Sequence, residues 1–286
     1  MEVSRIFFDD VFSKLQGERP AAGSAPVVAS TSNAARPGGA APAMPSGSAP
    51  AGDSGAGWSK LISTTTLEDE VKAIRLNLDQ AVTTPSKFAG TGHKDARRDF
   101  SLLAMLFAII GEYDTDVRWK DQAPIARDVF GRTAANTKAG GNTNTYNEAK
   151  RRKDDLQTLL SGSAITGDSS GPTVEWGTLV NVGPLMQRLE KAYDGNLAQW
   201  TSSKEAFSSH LEEAVHEAEL AAAIAEVIMK EGMDNADDET YIGFSKRLRQ
   251  GALDIVAGVK LNNYDQARAA AGEISKACSE CHEQYR

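Results

Sequence analysis

Residues 262–286 read NNYDQARAAAGEISKACSECHEQYR. Within this stretch Tyr264, Ala267, Ala271, Ile274, Cys278, Cys281 and Tyr285 recur three or four residues apart, the period of one face of an α-helix. Asn262 or Asn263 supplies a capping side chain at its start. The spacing predicts an amphipathic helix with both cysteines on its inward stripe. Earlier segments follow the same rule. Tyr241, Phe244, Leu248, Ala252, Ile255 and Val259 mark one helix, opened by an acidic turn in which Asn235 stands with Asp237 and Asp238. Ser202 and Glu205 form a capping-box pattern ahead of Phe207, Leu211, Ala214, Ala218, Ala222, Ala225 and Met229, and Gly232 closes that helix. Pro184, suited to a first helical turn, opens a helix with Met186, Leu189, Tyr193, Leu197 and Trp200 on one stripe. Four amphipathic helices with short connections predict an antiparallel four-helix bundle over residues 184–286.

Displacing the sequence by 118 residues reveals an internal repeat. Leu67 falls on Leu185, Leu102 on Leu220, Ala104 on Ala222 and Ala134 on Ala252. The string Asn144-Thr145-Tyr146-Asn147-Glu148-Ala149-Lys150 falls on Asn262-Asn263-Tyr264-Asp265-Gln266-Ala267-Arg268. Helical periodicity by itself matches apolar positions, but it does not align such a mixed string at the same offset. The repeat predicts a first four-helix bundle over residues 66–163, joined to the second by the Gly-, Ser- and Pro-containing segment 164–183. No alternating apolar pattern argues for a strand after residue 66, so the predicted class is all-α, two tandem antiparallel four-helix bundles.

The chain has two cysteines, and the motif Cys278-Ser279-Glu280-Cys281-His282 uses both. Thiols one helical turn apart are spaced to add across the two vinyl groups of one porphyrin, and the next residue then lies under the ring as proximal iron ligand. The motif therefore predicts one covalent haem c on Cys278 and Cys281, with His282 on the iron. A dithiol redox pair and half of a zinc site use the same residues. A redox pair usually opens a helix, where the dipole lowers a thiol pKa, whereas this pair closes a helical pattern. A structural zinc site needs two more ligands, and outside the motif only His93, His210 and His216 remain, with no second cysteine pair. In the first copy Leu160, Ser163 and Ala164 stand where the second has Cys278, Cys281 and His282, so the first copy lacks the residues to hold haem c.

With its last helix ending in Cys278-x-x-Cys281-His282-x-x-Tyr285-Arg286, the second copy resembles the cytochrome c′/c-556 family of four-helix-bundle cytochromes. The resemblance implies a haem between the helices near one end of the bundle, with His282 on one side and the first helix covering the other. It also implies a sixth iron position that is either open or filled by methionine, and hence an electron carrier or a binder of small gases such as nitric oxide or carbon monoxide. Up-down-up-down topology puts the end of the last helix beside the start of the first, which makes Met186 the first candidate for sixth ligand. Met229 and Met233 rank next, at the end of the second helix. Leu185 and Leu189 are the candidate apolar lid over an open iron position. His210 and His216 lie several turns from that end and are read as ordinary helix residues. Tyr285 is expected to pack under the porphyrin, and Arg286, ahead of Lys276, to orient a propionate or the proximal ligand. Pairing of two chains through the first two helices, a homodimer, is a further implication of the resemblance.

Composition sets the outer limits. The 286 residues are 41% hydrophobic with a formal net charge of −8, which disfavours a nucleic-acid or anionic-membrane surface. The longest apolar run, Leu102 to Ile110, is too short to cross a bilayer. Residues 1–16 allow a short amphipathic segment with Val3, Phe7, Val11 and Leu15 at helical spacing. Residues 17–57, dominated by Ala, Pro, Gly and Ser, read as a disordered linker. Haem c is normally installed outside the cytoplasm, so a periplasmic or other extracytoplasmic location is expected. Met1-Glu2-Val3-Ser4-Arg5 does not show the basic and apolar regions of a secretory signal. No nucleophile triad, phosphate-cradling glycine loop or distal acid–base pair is recognisable, and Gly140-Gly141 reads as a turn. The expected role is a non-enzymatic electron carrier with an unidentified redox partner. A scaffold whose first copy recruits a partner is the non-redox alternative.

Overall fold

A computed structural model describes residues 57–285. The amphipathic segment over 1–16, the linker over 17–57 short of Gly57, and Arg286 lie outside the described residues. Among the described residues there are about ten helices and no strand. The longer ones are α1 (Thr64–Ala81), α2 (His93–Glu112), α3 (Ala123–Thr137), α4 (Thr143–Leu160), α5 (Val182–Glu190), α6 (Leu211–Val227), α7 (Glu239–Lys260) and α8 (Tyr264–Gln284). Alpha-helical character passes from α5 through a wider π-type stretch, Lys191–Leu197, to Ala198–Trp200. The short helix Lys204–Ser209 leads into α6, with a break at His210.

Local chemistry sets the helix starts. Side chains of Ser63, Asn142, Ser203, Asp238 and Asn263 accept hydrogen bonds from backbone N–H groups of the turns that follow them. The cap ahead of Lys204–Ser209 is thus Ser203 and not Ser202, because Ser203 has the extended backbone that a cap requires. Of the two asparagines ahead of α8, Asn263 is the cap, with its oxygen 3.1 Å from Gln266 N.

Equivalent features recur near the 118-residue spacing. Ser63 and Asn181 hold the N-cap positions of α1 and α5, and His93 and Leu211 begin α2 and α6. Tyr146 Oη reaches the Thr83 carbonyl at 3.5 Å, and Tyr264 Oη reaches the Ser202 carbonyl at 3.1 Å. Each ring also packs edge-on against a phenylalanine, Phe88 in one case and Phe207 in the other.

Packing joins α1 to α2 and α4, α2 to α3, α3 to α4, α6 to α7 and α7 to α8. Helices α2 and α6 run through the middle, buried almost all round over Asp99–Ile110 and Glu217–Val227. In the earlier half Phe100 and Phe107 flank Phe130, with ring centroids 6.0 and 5.6 Å away. The core does not stop at the joining segment: Leu185, Leu220, Ile224, Val227 and Ile228 belong to the same apolar cluster as Leu67, Leu102 and Phe130. The joining segment is itself anchored. Trp176 and Val180 are buried, and the buried Arg127 guanidinium donates to the carbonyls of Gly171 at 2.8 Å and Thr173 at 3.1 Å.

A buried charge network crosses between the halves. Arg188 on α5 donates to both oxygens of Glu70 on α1, at 2.8 and 3.1 Å, and to Glu217 on α6 at 2.6 Å. His216 Nε2 lies 3.0 Å from the same Glu70 carboxylate. Burial pushes the Glu70 carboxyl upward, but hydrogen bonds from His216 and Arg188 override it and hold the pKa at about 2. His216, read from sequence as an ordinary helix residue, is part of this network; burial disfavours its charge, and the Glu70 carboxylate overrides that and raises its pKa. Removing one partner from such a buried group costs about 3–5 kcal/mol, because the other is left charged and unpaired.

Asp99 is the unsatisfied member. It is 1% exposed, its Oδ1 accepts from Arg98 Nε at 3.0 Å, and its Oδ2 has no partner. Burial, with repulsion from Asp95 and Glu70, outweighs Arg98 and lifts its pKa from 3.8 to about 6. A carboxyl raised in this way favours the fold while protonated, and that contribution is lost as pH climbs from the ordinary carboxylate range through about 6. Asp99→Asn is therefore expected to stabilise the chain by about 1–3 kcal/mol at pH 8 and to change little at pH 4, read from urea unfolding at the two pH values.

Candidate functional site

The Cys278–His282 motif occupies the last turns of α8, where the inward stripe approaches the helix C-terminus. Cys278 and Cys281 are partly buried and unpaired, while His282 is exposed. A cavity of about 180 Å³ lies against them, lined among others by Met186, Leu189, Tyr241, Leu248, Cys278, Cys281, His282 and Tyr285. Its walls come from the start of α5, the residues after α6, the first half of α7 and the end of α8, so the antiparallel run of these helices brings sequence-distant residues to one place. A second cavity of about 340 Å³ shares Met186, Leu189, Cys278 and His282 with the first and is otherwise lined by Tyr193, Asp194 and Ser275 among others. Those four side chains thus border both hollows.

Several contacts hold the end of α8 in place. Arg247 on α7 donates to Glu280 at 2.5 Å, and Tyr193 Oη donates to the Ala271 carbonyl at 2.8 Å. Tyr285 packs edge-on against Tyr241 with ring centroids 5.3 Å apart, and its hydroxyl bonds Asp238, the cap of α7. That bond, with the backbone N–H groups of Thr240 and Tyr241, holds the Asp238 carboxyl below its usual range.

The thiols are not activated. Burial pushes Cys278 up to about 11, with the charges of Asp194 and Cys281 adding to it, and burial also raises Cys281. A reactive dithiol sits in an electropositive setting that lowers its pKa, and these sit at the negative end of a helix. Nor, among the described residues, do three or more His, Cys, Asp or Glu side chains gather where a metal ion would be held, as a zinc site built on this motif requires.

Three observations bear on whether a porphyrin fits. The 180 Å³ hollow is smaller than pockets for ligands of that size, about 300–1,000 Å³, so a porphyrin needs the side chains around it to move. Of Ala218, Ala225 and Leu248, which stand 118 residues after Phe100, Phe107 and Phe130, Leu248 lines the hollow, and the two alanines are buried in the same apolar cluster as Leu248. The Tyr241 hydroxyl is buried in the cavity wall without a hydrogen-bond partner, and burial, with Cys281 and Asp234 nearby, keeps it neutral by pushing its pKa to about 12. An unpartnered donor facing a hollow is a place for an acceptor to bind. The donor set and the free hydroxyl are of the chemical kind that a covalently held haem takes, whereas the volume of the hollow is short of it.

The other candidates separate. Met186 and Leu189 line both hollows. Leu185 does not: it is fully buried in the core shared by the halves, so the expected leucine lid reduces to Leu189. Met233 is likewise packed in that core, and Met229 lines neither hollow. His210 stacks on Trp200, centroids 5.0 Å apart, and Lys276 is exposed away from both hollows. Tyr241, Asp234 and Asn235 were not singled out as site residues from sequence. Their signal was faint, a tyrosine and an acidic turn opening the helix antiparallel to the motif.

No known family, curated protein or solved structure matches this chain.

Burial of both thiols predicts slow alkylation. Iodoacetamide labelling of the haem-free chain at pH 7.5 is expected to be slower than that of the unfolded chain by tenfold or more, and Cys278 to gain about tenfold in rate per pH unit towards pH 11. Labelling at the unfolded-chain rate, read by peptide mass, contradicts the burial described.

Proposed function

We propose that this chain is a monohaem c-type cytochrome made of two tandem four-helix bundles, the second of which carries the haem, and that it transfers single electrons. The observation that carries the reading is the meeting of Cys278, Cys281, His282 and Met186 at two hollows between α5 and α8. Recurrence of caps, helix starts and tyrosine contacts near the 118-residue spacing supports the duplication.

Bound haem supplies an iron centre that takes up and releases one electron. The two thiols would anchor it as thioethers on one helical turn, and their high pKa values keep them out of competing thiolate chemistry until attachment is catalysed. His282 offers an imidazole from the exposed side, and Met186 a thioether from α5. Leu189, Leu248 and Ile228 keep the interior face apolar, while the Tyr241 hydroxyl offers one hydrogen bond to an acceptor on the bound group. Were the Met186 thioether to hold the iron, it would raise the potential relative to most alternatives and so favour electron carriage over gas binding. Attachment of this kind takes place outside the cytoplasm, so an extracytoplasmic location and a redox partner protein belong to the same reading.

Expression with haem-maturation machinery and an added export signal tests it. The expected product gains the mass of one haem and shows a Soret band, and Cys278→Ala with Cys281→Ala abolishes the covalent adduct. Met186→Ala is expected to convert a low-spin ferric spectrum to high-spin. A wild-type protein already high-spin and avid for carbon monoxide instead favours the five-coordinate, gas-binding form. Material with polypeptide mass alone and no Soret band rejects the reading.

A further inference from the structure

Where the two halves touch, equivalent residues of the repeat meet each other. Glu70 and Arg188, 118 residues apart, form the central ion pair. Trp58 and Trp176, at the same spacing, face each other with ring centroids 6.0 Å apart. A residue meets its own counterpart only close to a two-fold axis relating two copies. Away from such an axis, Ser63, the cap of α1, donates to Glu219 of α6 at 2.7 Å, and Asn181, in the repeat place of Ser63, accepts at 3.4 Å from Arg97 of α2, one helical turn before Ser101, the repeat place of Glu219. Arg98 and Asp99 hold the repeat places of His216 and Glu217, although Arg98 bonds Asp99 on its own helix where His216 bonds Glu70.

We infer that the two halves form an internal two-fold pair, in which the first half covers on the second the face by which two identical second halves would associate, and that Glu70 opposite Arg188 selects this pairing within one chain over self-pairing. The inference rests on the duplication in the proposed function and is independent of haem.

Identical copies place identical side chains across the axis. Two second halves would bury Arg188 against Arg188, and two first halves Glu70 against Glu70 with Asp99 close by on each. Like charges without water are strongly unfavourable, so only the mixed pair is neutralised. The unpartnered Asp99 oxygen has its cause here. Asp99 holds the place of Glu217, whose carboxylate takes Arg188 at 2.6 Å, but on its own half the axis residue is Glu70, which has no proton to give.

Exchange of the axis charges in the full chain tests the symmetry. In the double variant Glu70→Arg/Arg188→Glu, a guanidinium at position 70 meets Asp99 as Arg188 now meets Glu217, and a carboxylate at position 188 meets Arg98 as Glu70 now meets His216. Each single variant is expected to lower the urea midpoint, and the double to recover at least half of the summed loss. The wild-type chain is expected to sediment as a monomer of 30.5 kDa at micromolar concentration. A double variant that fails to fold or loses as much as the two singles together overturns the inference, and so does a wild-type chain that sediments as a dimer. All of these readings are made on haem-free protein, so absence of a Soret band rejects the cytochrome while leaving the internal pair to stand or fall by unfolding and sedimentation.

Discussion

The Arg188 guanidinium is the constraint on which the rest of the fold depends. It brings a positive charge between α1, α5 and α6, where water is excluded, and three hydrogen bonds to Glu70 and Glu217 neutralise it. Those bonds need α1 at one distance and orientation from α5, so the network registers one half of the chain against the other. Apolar packing alone, non-directional as it is, would tolerate sliding of α2 against α5. The charged groups exact a desolvation cost in exchange for that register. Asp99 shows the cost uncompensated, one buried oxygen without a donor.

This register reaches the candidate site through α5. Arg188 and Leu185 face the other half, while Met186 and Leu189 face the hollows beside α8. One short helix thus carries the inter-half contact on one side and the wall of the site on the other. The wider π-type stretch that follows, Lys191–Leu197, lets the Tyr193 hydroxyl reach the α8 backbone, which holds α5 and α8 together beyond the hollows.

Side-chain volume distinguishes the two halves. The first fills its interior with Phe100, Phe107 and Phe130, and Trp119 and Arg118 cap the last carbonyls of α4 from the side. The second has alanine, alanine and leucine at the positions 118 residues after the three phenylalanines, a hydroxyl without a partner and two hollows bordered by the same four side chains. Close-packed interiors leave few voids without reason.

Much of this was legible from the residues. The period of three and four along Tyr264–Tyr285 required a helix with both cysteines toward its inner side, because backbone geometry is a local property. Antiparallel connectivity predicted that Met186 would lie near the end of the last helix, and both line the same hollow. Partners of buried charges were not legible. Arg188 sits on the inward face one residue before Leu189, and Glu217 among the alanines of α6, but each reads as a solvated charge until the opposing carboxylate or guanidinium is in place. Leu185 and Met186 are adjacent in the chain, yet Leu185 is fully buried in the shared core and Met186 reaches the hollows, a choice made by the rotation of α5 against its neighbours. Tyr241 looked like one more stripe residue, and only the missing partner for its hydroxyl sets it apart. Sequence by itself determined the helices and the inward placement of the two cysteines, since those follow from spacing along one chain. Tertiary structure decided which charges are paired, which of Leu185 and Leu189 borders the hollows and where the hollows lie, since pairing and volume exist only between elements that the chain has brought together.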